Sequence, residues 1–118
     1  MSYIYVKIKT MTQAKTELFD AQLQRYAAFF KVLSHPARLA IIRYLAQCKT
    51  CISGDISTEL PLGRTTVNQH LKELKKAGLI IGETEGVKVN YCLNAKKIDE
   101  LDLCCNNFLK EIEMMKCC

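Results

Sequence analysis

Long hydrophobic runs, histidine, proline and glycine are all scarce in this chain. No stretch approaches the roughly 18 uninterrupted apolar residues of a membrane-spanning helix, so neither a span nor a membrane partner is expected. The first residues, MSYIYVKIKTMT, have no long apolar core and no small-residue cleavage site, which argues against a secretory signal. Two prolines and five glycines leave no low-complexity linker, and no internal repeat is visible. The two histidines have structural readings, His35 in a Ser-His-Pro break and His70 wedged between helices. With no Ser/His/Asp set, phosphate loop or carboxylate pair either, the chain is not read as an enzyme.

What remains is ordinary in amount and unusual in kind. A chain of 118 residues with 49% hydrophobic residues is one domain, large enough to bury a core. Its formal net charge of +5 suits nucleic acid, more so if a dimer gathers it on one face. Seven cysteines are an odd number, and the helical pattern needs no disulfide staples. The compartment is therefore read as reducing and cytoplasmic, with thiols available for metal binding or redox sensing. Isolated cysteines are also often small buried hydrophobes.

Residues 1–15 form an N-terminal arm, disordered or an extra strand, in which Tyr3 and Tyr5 alternate with Ile4, Val6 and Ile8; Met11 is a second candidate start. Residues 16–118 are one folded domain. From about Thr16 to Leu33, helical spacing links Leu18, Phe19, Leu23, Tyr26, Ala27, Phe30 and Leu33. Ser34 is expected to cap a second helix from Pro36 to about Gln47, burying Leu39, Ile42 and Leu45. A brief extended segment, Cys48 to Ile52, leads to a short helix at about Gly54 to Glu59. Pro61-Leu62-Gly63 turns the chain into a helix from Arg64 to Ala77 with the stripe Val67, Leu71 and Leu74.

Gly78 is the expected left-handed cap, and the period then changes. Leu79 to Thr84 and Val87 to Leu93 read as a hairpin turning at Glu85-Gly86. Asn94 caps a last helix running from Ala95 to the end, with apolar positions Ile98, Leu101, Phe108, Leu109 and Ile112. The fold class is mainly α with a small β-hairpin: about five helices and two to three short strands in a winged helix-turn-helix layout.

The helix Arg64–Ala77 has the chemistry of a groove reader. A DNA major groove admits one helix, and its base edges need donors and acceptors from that helix's N-terminal half. Here that half presents Arg64, Thr65, Thr66, Asn68 and Gln69. Arginine can grip guanine bidentately, and asparagine or glutamine adenine. Lys72, Lys75 and Lys76 would meet phosphates, and Lys88 on the hairpin a phosphate or the minor groove. An amphipathic helix with a solvated basic face is the plainer alternative, which the flanking helix and hairpin disfavour.

LSHPARLAIIRYL (33–45), TTVNQHLKELKKAGLI (65–80) and GVKVNYCLN (86–94) together resemble the ArsR/SmtB family of metal- and metalloid-responsive repressors. The resemblance spans roughly residues 16–112. It implies a homodimer joined through the first and last helices and seated on a palindromic double-stranded DNA operator. Inducer binding then lowers DNA affinity; no obligatory cofactor is implied. Pro36 and Arg38 match the signature of the family's second helix, where a packing role is expected.

Two thiol clusters compete as the inducer site. The family's soft-metal site typically reads Cys-x-Cys followed by Asp, whereas Cys51-Ile52-Ser53-Gly54-Asp55 has Ser53 at the second thiol position. Cys48 could substitute, because C-x-x-C is a common ligand spacing. Pairing of the segment before the third helix with the return strand of the wing would make Cys51 and Cys92 neighbours, about 4.5–5.5 Å apart between Cβ atoms. Cys48, Cys51 and Cys92 would suit As(III) or another soft metal ion.

The alternative is Cys104 and Cys105 with Cys118 in the last helix. Cys104 and Cys118 are about 21 Å apart along one helix, so they would meet only across an antiparallel dimer. Asp102-x-Cys104 and Met115-x-x-Cys118 have the spacing of the family's zinc site without its histidines, which disfavours zinc. Two further readings keep the fold: a switch that oxidises two thiols to a disulfide or polysulfide, and a member without a sensing site. A thiol oxidoreductase is rejected, since its C-x-x-C belongs in a βαβ context.

Overall fold

The computed structural model describes residues 18–48, 52–53, 56–85 and 88–116. Helix α1 (Ala21–Leu33) starts where the Asp20 carboxylate accepts the Gln22 amide at 2.8 Å, satisfying one of the donors every helix start leaves open. It ends at Ser34, whose hydroxyl donates to the Lys31 carbonyl at 2.7 Å. Helix α2 (Pro36–Cys48) therefore has a different cap from the one expected. The His35 carbonyl accepts the Leu39 amide and its ring Nδ1 accepts the Ala37 amide at 3.0 Å, so His35, not Ser34, opens α2. Ser34 is already committed to the helix before.

Strand β1 (Ile52–Ser53) precedes a 3-10 turn, Ile56–Glu59, within the stretch expected as a short helix, whose first residues, Gly54 and Asp55, lie outside the described residues. Helix α3 (Arg64–Lys76) begins at Gly63 in extended conformation. Its far end is a Schellman motif: Leu79 N–H donates to Leu74 O at 3.1 Å and Gly78 N–H to Lys75 O at 3.0 Å. The motif needs a left-handed residue, and Gly78 supplies it with φ of 84°. Leu74 and Leu79, which flank the motif, have no exposed surface.

Strands β2 (Ile80–Glu85) and β3 (Lys88–Leu93) pair antiparallel from Ile80↔Leu93 to Glu85↔Lys88. β1 adds to the other side of β3 through Ile52↔Tyr91, giving the order β1-β3-β2. Asn94 then does two jobs. Its side-chain oxygen receives the Lys97 amide at the start of helix α4 (Ala95–Met115), and its amide group donates to Gly78 O at 2.9 Å. The end of α3 and the start of α4 are thereby tied together.

The core gathers Tyr26, Phe29 and Val32 of α1, Ile41 and Leu45 of α2, Ile56, Val67, Leu71 and Leu74 of α3, Leu79, Ile80 and Cys104. Two apolar stripes differ from expectation. In α2 the buried set is Ala37, Ile41 and Leu45, while Leu39 is 51% exposed. The run Leu39-Ala40-Ile41-Ile42 is apolar on every side, so period alone does not choose its inner face. Of the first stripe, Leu18 and Phe19, which precede α1, and Leu23 and Phe30 within it are exposed, whereas Tyr26 is buried together with Phe29 and Val32.

Smaller differences concern boundaries. Cys48 ends α2 instead of starting an extended segment, and α4 stops at Met115. The N-terminal arm, the hairpin turn at Gly86 and the terminal Cys117-Cys118 pair lie outside the described residues. Among the described residues no helix is long and apolar enough to cross a membrane.

Candidate nucleic-acid interface

Helix α3 buries one face and offers the other. Val67, His70, Leu71 and Leu74 are buried, whereas Arg64, Thr65, Thr66, Asn68, Gln69, Lys72, Lys75 and Lys76 are all exposed. At about 100° per residue, Thr65, Gln69, Lys72 and Lys76 stand opposite the buried stripe. Arg64, Asn68 and Lys75 share the flank that faces β2. A Cβ at Gly82 would lie 3.2 Å from the Tyr91 ring and 3.4 Å from the Lys75 ammonium, so the bare glycine leaves Lys75 room against the wing. Thr66 and Glu73 lie on the opposite flank, where Glu73 shares a cleft with Arg38 of α2.

This arrangement brings a cationic, amide-bearing ridge beside a hairpin. Lys75 and Lys76 fall in the last turn, where cations also offset the helix dipole. Lys88 pairs with Glu85 at the tip-side end of the hairpin ladder; its side chain is outside the description. The ridge can therefore present donors and acceptors to base edges and ammonium groups to phosphates, the two kinds of contact a groove-reading helix requires.

The thiols are not gathered in the same way. Cys48 is half-buried at the end of α2 and lies in hydrogen-bond contact with the Tyr44 phenol one turn back. Burial first, then Cys48 and Glu59, push that phenol above its ordinary value. Cys92, in β3, is disulfide-bonded, whereas Cys48, Cys104 and Cys105 keep their thiols. Cys51 and Cys118 lie outside the described residues. Cys104 is 8% exposed and belongs to the core; Cys105 is half-buried. Among the described residues no three His, Cys, Asp or Glu side chains converge to hold a metal ion.

One polar contact was not legible beforehand. His70 occupies a core-facing position of α3, and its Nδ1 accepts a hydrogen bond from Arg38 Nε at 3.2 Å. Arg38 Nη1 also donates to Val32 O at 3.2 Å, and the His35 ring packs on His70 with centroids 4.2 Å apart. A histidine in the register of Val67 and Leu74 was the available signal, because a buried ring nitrogen demands a partner.

Comparison with known proteins agrees with this geometry. Residues 33–83 match the family model described as a helix-turn-helix domain. The arsenical resistance operon repressor of Bacillus subtilis is 35% identical over 99 residues, covering 80% of this chain and 90% of that protein. The cadmium resistance transcriptional regulatory protein CadC of Listeria innocua is 29% identical over 102 residues, covering 86% of each chain. An uncharacterised HTH-type transcriptional regulator of Mycobacterium tuberculosis is 32% identical over 75 residues, and the match spans 64% of this chain and 66% of that protein. Its crystal structure superposes with a TM-score of 0.60 at 26% identity, covering 81% of this chain and 96% of that one. The chain belongs to the ArsR/SmtB family of helix-turn-helix transcriptional regulators.

Proposed function

We propose that this protein is a homodimeric repressor that holds a palindromic operator with α3 and the β2–β3 wing and lets go when a thiophilic ion occupies its cysteines. The observation that carries the reading is the exposed ridge of Arg64, Thr65, Asn68, Gln69 and Lys72 beside the hairpin. Metal responsiveness is supported by the arsenical and cadmium resistance regulators among its relatives.

A second copy is expected on the α1–α4 face. Tyr26 and Phe30 of α1 meet Phe108 of α4 with ring centroids 5.5 and 5.7 Å away, so the two helices form one surface. That surface leaves Leu23, Phe30, Leu109 and Ile112 exposed, the residues a dimer would cover.

Of the two thiol sets, the wing-side one, once a thiol reductant has returned Cys92 to its thiol, fits an exchangeable ion better. Cys104 is in the core, so drawing it to an ion costs packing. Cys51 and Cys92 are the chain neighbours of the paired residues Ile52 and Tyr91, and Cys48 ends the helix just before. The disulfide at Cys92 favours a second reading in which the same thiols form a redox switch. There two thiols lose two hydrogens to a peroxide-class oxidant, which is reduced to water.

The test is a gel shift on the DNA upstream of the protein's own gene, adding arsenite, cadmium, zinc and peroxide in turn, followed by intact mass. Release with the added mass of the ion supports metal sensing, and release with a loss of two hydrogens per disulfide supports the redox reading. Cys51→Ser is expected to abolish release. A normal response in Cys51→Ser, lost instead in a Cys104→Ser/Cys105→Ser double variant, would move the site to α4.

A further inference from the structure

The apolar stripe of α3 fixes its depth in the fold, but apolar contacts alone are poor at fixing how a helix is turned. Directional contacts do that, and the Arg38 guanidinium makes two. From the first turn of α2 it donates to Val32 O in the last turn of α1 and to His70 Nδ1 in the middle of α3. His35, whose Nδ1 is occupied by the Ala37 amide, closes the group by stacking on His70. Three helices thus meet at one planar cation. His70 is 9% exposed, whereas its chain neighbour Gln69 is exposed on the outer ridge. A small rotation at His70 therefore re-aims the residues proposed to touch bases.

The contact exists only while His70 is neutral, since Nδ1 must hold a lone pair to accept from Arg38. Burial first, then His35, then Arg38 hold His70 below its ordinary value. The charged and titratable groups around it are His35 and Arg38 from α2, with Lys72 and Glu73 on the cleft wall formed by α3 itself. Glu73 is the only anion lining that cleft among the described residues. A second proton on His70 would remove the acceptor and set one cation against another.

We propose that Arg38 and neutral His70 are a positioning pair that sets the angle of the DNA-reading helix, so that operator affinity falls when His70 takes up a proton. The inference rests on α3 being the reader. For a base whose folded value is depressed, the bonded state is complete above the ordinary value of about 6.5 and is lost as pH falls through the lower folded value. With one proton per protomer, affinity in that window changes by at most about tenfold per pH unit per protomer.

Operator binding by fluorescence anisotropy, at fixed salt with reductant and chelator, provides the test between pH 8 and 5. The wild type is expected to bind evenly through about pH 6.5 and to weaken only as pH falls further, through the lower folded value of His70. His70→Gln keeps an oxygen acceptor for Arg38 and cannot titrate, so its profile should be flat. Arg38→Gln should weaken binding at pH 7.5 while the dimer mass is unchanged. A wild-type profile without the acid fall overturns the proposal, as does the same fall in His70→Gln. If Arg38→Gln fails to fold, the His70→Gln profile decides by itself. Arg64→Ala measured alongside separates the two levels: unchanged affinity there removes the reading of α3, whereas weakened affinity with an unaltered His70→Gln profile removes only the pair.

Discussion

Helix α3 and the thiols are built on opposite principles. In α3, chemistry and position repeat together: a buried residue returns every three or four places, and the residues between are polar, basic and exposed. The cysteines follow no such period. One is packed in the core, two are half-buried in different helices, and one is disulfide-bonded in β3. A surface that reads a long, regular polymer can be laid out along a single helix. A site that binds one small ion must collect ligands from several elements, and sequence spacing says little about where those elements meet.

The comparison can be broken first at its apolar base. Leu74→Ala removes a side chain with no exposed surface from beneath the ridge and should cost about 2–5 kcal/mol of stability in chemical denaturation. A loss below about 1 kcal/mol would mean that α3 is not anchored as described. At the ridge itself, Arg64→Ala or Gln69→Ala should leave the denaturation curve nearly unmoved. Each should weaken operator binding by about 1–3 kcal/mol and relax base preference at one position. Equal loss on all DNA sequences would reassign that side chain to the phosphates.

The smallest effects sharpen the thiol side. Cys104→Ala should cost about 1 kcal/mol, because a packed group of methylene size is lost, whereas the half-buried Cys105→Ser should be near neutral. Equal, negligible costs at both would free Cys104 from its packing role. They would return the vicinal pair to contention as the ion's ligands.

Much of the fold could be read from local signals. Gly78, Asn94 and the Val67-Leu71-Leu74 stripe each have one physically sensible use, and the structure gives them that use. The Ser34-His35-Pro36 break was equally visible, but not the division of labour within it. Both Ser34 and His35 can cap, and only the commitment of the Ser34 hydroxyl to Lys31 decided the matter. In α1 the expected apolar stripe divides between the core, at Tyr26, and an exposed face, at Leu23 and Phe30. Periodicity reports that a face is to be covered, and does not distinguish a core from a second copy.

By itself, then, the sequence determined the order of elements, the caps at Gly78 and Asn94 and the outward basic ridge of α3. All of these depend on contacts within a few residues, where helical geometry leaves little choice. Only the tertiary structure decided which side of α2 is inside, that Cys104 packs the core, and that Arg38 reaches across 32 positions of sequence to His70. Those outcomes depend on which surfaces meet, and the meeting of distant surfaces is settled by packing the whole domain at once.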